Sequence, residues 1–150
     1  MPDGVAAPAH AVDVVVLTQD GARIWHGLPE RDGEHAHPTH PEHVAAPDPH
    51  RPHRHNRTGQ FHHGHHRDRD DPRYFDAVME RLGDAERILL VGHGHGRSNI
   101  ARAFATHVAR HHHAVARRVI GEIEGDLSAL SEPEILEMAR RWYAGWCMRV

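Results

Sequence analysis

Ile88-Leu89-Leu90-Val91 is an unbroken apolar run, followed by glycines at alternate positions, Gly92, Gly94 and Gly96. No other stretch constrains the fold as much. Consecutive β-branched and leucine residues suit a strand covered on both faces, because a strand half open to water alternates apolar with polar. The glycines let the backbone turn tightly or approach another group closely. Ser98 or Asn99 then N-caps a helix, its short polar side chain satisfying free N–H groups. Ile100, Ala103, Phe104 and Val108 give that helix an apolar face. A covered strand that turns directly into a helix belongs to an α/β protein.

The flanking segments extend this reading. Val12 to Leu17 reads as a strand, Asp20-Gly21 as a turn pair and Ala22 to Gly27 as the returning strand of an antiparallel ribbon. Asp71 and Pro72 suit the N-cap and first position of a helix. Tyr74, Phe75, Val78, Met79 and Leu82 form its stripe, and Gly83 ends it. Val115 to Ile123 reads as another strand and Asp126-Leu127-Ser128 as a turn. Ser131 to Glu134 opens a last helix, with Ile135, Leu136, Met138, Ala139, Trp142 and Tyr143 buried and Gly145 closing it. The fold class is therefore α/β, a mixed sheet with an N-terminal antiparallel ribbon followed by β-α-β-α units. Its strand–helix–strand connections predict parallel pairs with right-handed crossovers.

Residues 1–11 read as a flexible leader, 12–145 as a single domain and 146–150 as a tail. Within the domain, residues 28–71 carry Pro29, Pro38, Pro41, Pro47, Pro49 and Pro52 among histidines and charges, with almost nothing apolar to bury. That composition predicts a long mobile loop, and loops of this length are commonly functional or disordered.

The formal charge of −3 is mild, but the 19 histidines would turn the protein positive near pH 6, so an RNA surface is not excluded. All positive charge is arginine, which suits bidentate contact with phosphate. One cysteine, Cys147, rules out an internal disulfide and a thiolate metal cluster. No stretch is long enough to span a bilayer. Met1-Pro2-Asp3-Gly4 lacks the start of a signal peptide, so a cytoplasmic location is expected.

Gly92, Gly94, Gly96, Arg97 and Ser98 admit two readings. One is an anion site, where exposed N–H groups and a helix dipole favour phosphate. The other is a strand-to-helix turn that only needs glycine. Specific nucleotide motifs fail: the chain has no lysine for a P-loop, and G-x-G-x-G is not the dinucleotide fingerprint G-x-G-x-x-G.

In element order, and in the runs Ala85 to Gly92, Arg110 to His113, Arg118 to Glu122 with Asp126-Leu127-Ser128, and Ala139 to Tyr143, the chain resembles the middle domain of eukaryotic and archaeal class-1 peptide-chain release factors and of Pelota. It also resembles the small bacterial translational machinery proteins related to them. The resemblance spans about residues 12–143 and implies a release-factor domain 2-like fold and a partner in the ribosome or tRNA. In release factors the loop before the first long helix carries Gly-Gly-Gln, whose glutamine helps place the water that hydrolyses peptidyl-tRNA. Here the corresponding loop reads Arg57-Thr58-Gly59-Gln60-Phe61. The resemblance implies Gly59 and Gln60 as catalytic residues and Arg51, Arg54 and Arg57 as phosphate contacts. Thr58 stands where the first glycine belongs, and a β-branched residue resists positive φ. Binding is therefore the expected activity, with hydrolysis its extension.

The same loop is a metal-binding candidate. His62, His63, His65 and His66 flank Gly64, and imidazole binds zinc, nickel and copper. Zinc or nickel is the expected ion, bound by an evolved site or by interchangeable surface ligands. His93 and His95, in the glycine turn, are possible additions. Glu122, Glu124 and Asp126 admit a metal or a solvated acidic turn. Oligomeric state is not legible.

Overall fold

The computed structural model describes residues 11–29, 40–46, 72–94 and 99–149. Its order is β1 (Ala11–Leu17), β2 (Gly21–Pro29), β3 (Glu42–Ala45), α1 (Pro72–Leu82), β4 (Ile88–His93), α2 (Ile100–His111), α3 (His113–Ala116), β5 (Val119–Gly125), a short 3-10 turn (Leu127–Ala129) and α4 (Glu132–Arg149). The strands form one sheet in the order β3-β2-β1-β4-β5. β1–β2 and β2–β3 are antiparallel, while β1–β4 and β4–β5 are parallel. The expected mixed sheet, an antiparallel ribbon joined to parallel strands, is the one observed.

β4 is buried from Ile88 to Gly92, as its sequence demands. Ile88 and Leu90 face a core shared with Phe75 and Val78 of α1 and Phe104 and Val108 of α2. Leu89 and Val91 face the opposite core, shared with Trp25 and with Ile135, Ala139 and Tyr143 of α4. The sheet is thus sandwiched, with α1 and α2 on one face and α4 on the other. Phe75 and Phe104 meet edge to face at 5.5 Å, an arrangement that adds about 0.5–1.5 kcal/mol beyond burial. α4 opens on a reciprocal capping box. Ser131 N–H donates to Glu134 Oε1 at 2.8 Å and Glu134 N–H to Ser131 Oγ at 3.3 Å.

Four boundaries differ from the sequence expectation. β2 does not stop at Gly27 but runs on to Pro29, so the segment expected as loop from residue 28 starts inside a strand. The reason is a bulge: Val14 pairs with Trp25 but Val12 with Leu28, and Gly27 takes up the extra residue at φ 74°. Asp13 accepts the Gly27 N–H at 3.0 Å, and Leu28 is buried. The same stretch holds β3, a four-residue edge strand bounded by Pro41 and Pro47 whose one buried side chain is Val44.

The last helix passes through Gly145 and takes in residues expected as a tail. Glycine ends a helix when it adopts the left-handed region, and Gly145 does not. Trp146, one turn beyond Trp142, instead continues the apolar stripe and stacks on Tyr143 at 5.8 Å. Lastly, Val115 and Ala116 belong to α3, and β5 starts at Val119.

Candidate functional site

β1, β3, β4 and β5 all run in one direction, so their carboxyl ends share one edge of the sheet. In open α/β sheets this edge is where ligands bind. An open cleft of about 440 Å³ lies there, within the size range of small-ligand sites. Leu17, Ile100 and Leu127 supply its apolar lining. Thr18, Asp20, Arg23, His93 and Ser128 supply its polar lining.

Several of these polar groups are engaged by neighbouring residues of the fold. His93 Nδ1 accepts the Leu127 N–H at 2.9 Å, which places the imidazole proton on Nε2. Ser128 Oγ donates to Asp126 Oδ1 at 2.7 Å, and this hydrogen bond holds the Asp126 carboxyl below its usual range. Arg23 pairs with Glu132 at 2.8 Å and lies over the Trp25 ring at 5.7 Å.

The glycine turn borders this cleft. A Cβ on Gly92 would collide with the Asn99 side chain and Ala101 Cβ, so its missing side chain admits the start of α2. Asn99, only 2% exposed, caps the helix by accepting the Arg102 N–H at 3.2 Å. Gly94 has φ 86° and donates its N–H to Gly125 O at 3.2 Å. These two backbone donors are therefore used within the fold. Gly96, Arg97, Ser98 and His95 lie outside the described residues. Glu122 and Glu124 meet Arg102 at 3.5 and 3.4 Å, so the two carboxylates of the strand end share one guanidinium.

The expected catalytic pair Gly59-Gln60, the arginines Arg51, Arg54 and Arg57, and the histidines His62, His63, His65 and His66 also lie outside the described residues. Both flanks of their segment are described, and both come to the same turn. Ala46 N–H donates to Asp20 O at 3.2 Å, and Tyr74 Oη donates to Thr18 O at 2.9 Å. Ala46 and Tyr74, which flank the segment that carries the release-factor-like dipeptide, thus both lie at the carboxyl edge, beside the cleft.

Two clusters escaped the sequence reading. At the opposite edge, His26 Nδ1 lies 2.7 Å from Asp13 Oδ2 and its Nε2 2.9 Å from Glu42 Oε1, while Arg81 donates to Glu42 Oε2 at 2.7 Å. Burial works to lower the His26 pKa, but the hydrogen bonds to Glu42 and Asp13 outweigh it and the imidazole is raised. His26 and then Arg81 hold Glu42 below its usual value. The second cluster joins α1 to the end of α2. Asp76 Oδ1 lies 3.6 Å from Nε2 of both His107 and His112. No local motif linked these partners, which lie 13 to 39 positions apart along the chain.

No protein-family profile matches the chain, and no curated protein matches it. Among solved structures, it is similar to Pelota from Archaeoglobus fulgidus, at 10% identity and a TM-score of 0.51 over 88% of this chain. It spans 31% of the length of that protein, so the likeness is to one part of it. At this identity the match establishes a Pelota-like fold.

Proposed function

We propose that the chain acts in translation as a protein resembling the release-factor middle domain, binding the ribosome or tRNA. The observation that carries this reading is the Pelota-like fold over 88% of the chain. The anchoring of Ala46 and Tyr74, on either side of Gly59-Gln60 in the sequence, at the carboxyl edge by Asp20 and Thr18 supports it. In this reading Arg51, Arg54 and Arg57 contact phosphate, and their affinity is salt-sensitive and sequence-independent. Gln60 would position a water on peptidyl-tRNA, with ribosomal RNA supplying most of the catalysis by orientation. Thr58, in place of the first glycine, makes binding the primary activity and hydrolysis an extension of it.

The test is co-sedimentation of purified, metal-free protein with ribosomes across a salt series. Saturable binding that survives moderate salt is the expected result, and peptidyl-tRNA hydrolysis by the native protein and Gln60→Ala is then compared. No binding at any salt would overturn the reading.

A further inference from the structure

We propose that Asp76, His107 and His112 form a binding site for a single divalent transition-metal ion, with zinc the ion that suits it. The two imidazoles and the carboxylate each offer one ligand atom, and these atoms lie within 4.8 Å of one another. No other such group of three occurs among the described residues.

The distances favour a shared ion over direct hydrogen bonds. Both Nε2 atoms converge on one oxygen, Asp76 Oδ1, at 3.6 Å each. That exceeds hydrogen-bond length. It is close to the separation of about 3.3 Å that tetrahedral zinc with ligands at about 2.0–2.1 Å imposes on neighbouring ligand atoms. The same protein shows what a hydrogen-bonded His–carboxylate cluster looks like. His26 places its nitrogens on two different carboxylates at 2.7 and 2.9 Å.

His107 supplies the second argument. Its Nε2 is buried and has no hydrogen-bond partner. A buried polar atom without a partner is costly, and coordinating an ion is one way to satisfy it. Burial, against the pull of Asp76, also holds this imidazole below its usual pKa.

The backbone explains how residues five apart reach one ion. At 100° per residue, positions 107 and 112 of a continuous helix would lie about 140° apart. α2 ends at His111, and His112 leaves the helix at φ −140°, ψ 72°. That break turns His112 back toward α1. Two imidazoles and a carboxylate suit zinc and its neighbours in the transition series. Three protein ligands leave one position for water. The ion would tie the second turn of α1 to the end of α2, independently of any contact with the ribosome.

The experiment is a zinc titration of metal-free, full-length protein in competition with a colorimetric chelator, paired with thermal unfolding. Four proteins are compared: the native chain, Asp76→Asn, His112→Ala, and a variant with His62, His63, His65 and His66 all replaced by alanine. Asp76 and His112 have side chains 60% and 40% exposed, so their replacement leaves the core intact. The expected result is one tight 1:1 site in the native chain and in the four-histidine variant. It weakens by more than about tenfold in Asp76→Asn and His112→Ala, which also lose the zinc-induced rise in midpoint. A tight site that survives both single substitutions, or that disappears with the four loop histidines alone, would overturn the proposal.

Discussion

The Asn99 side chain occupies the space that a Cβ on Gly92 would need. The glycine at the end of β4 and the N-cap of α2 are therefore one device, which lets the helix start against the strand. Gly92→Ala should overpack this junction and cost at least about 1–3 kcal/mol. Asn99→Ala should cost about 1 kcal/mol through loss of the cap. Denaturant unfolding of both variants measures the difference. Equal stability of Gly92→Ala and the native chain would show that the junction relaxes freely.

Under the translation reading, each of Arg51, Arg54 and Arg57 neutralises a phosphate. Replacing one by alanine should weaken ribosome binding at low salt and reduce the salt slope by about 0.7–0.9. Co-sedimentation across the salt series gives both numbers. An unchanged slope in all three variants would remove these arginines from the interface.

The Asp13–His26–Glu42–Arg81 cluster ties edge strand β3 to β2 and α1. Its pH dependence has a definite sign. His26 is raised above its ordinary value of 6.5, so its contribution is complete below that value and is lost as pH rises through the higher folded value. Glu42 is lowered below 4.5, so its contribution is present above that value and is lost as pH falls through the lower folded value. The tie is thus strongest in mildly acid solution. Hydrogen exchange of the β3 amides should show native and His26→Gln proteins converging as pH rises from 6 to 9, a range set about the histidine reference value of about 6.5. A gap that widens with pH would contradict the assignment.

Both tyrosines resist ionisation. Burial pushes Tyr143 up to about 12 and moves Tyr74 up strongly as well. The chain has no third tyrosine, so the folded protein should show little tyrosinate absorption at the ordinary tyrosine value of 10.0. Because the unfolded chain releases these protons first, stability should fall as pH rises above that value. A spectrophotometric titration that gains full tyrosinate signal near 10 while circular dichroism stays native would refute this.

Tyr74→Phe isolates the other half of that residue's role. It removes the hydrogen bond to Thr18 O and should cost about 1 kcal/mol. The change is read in the chemical denaturation midpoint at unchanged slope.

The apolar periods of β1, β4, α1 and α2 were legible because each buries several side chains at a fixed repeat. The run Ile88–Val91 specified a strand covered on both faces, and helices lie on both. β3 was not legible because it buries one residue in four, which leaves no period to detect. Gly27 and Gly145 misled for a common reason. A glycine marks permission to leave a regular conformation; whether the chain leaves depends on what lies beyond. Leu28 and Trp146 each had a core position to fill. Of the sites, the cap at Asn99 was local and could be read. The Asp76–His107–His112 group could not, because it depends on the packing of two helices and on the break at His112. Cluster composition drew attention to His62-His63-Gly64-His65-His66, whereas convergence in space selects residues that no motif joins.

The Thr18–Gly21 turn receives the chain from Ala46 and again at Tyr74. A connection whose two ends are fastened to a single turn is closed by the scaffold whatever its length. For a flexible connection each doubling adds only about 0.6 kcal/mol of closure entropy. The cost of a longer connection of that kind grows only with the logarithm of its length, so the turn, more than the number of residues between the anchors, sets where the chain returns.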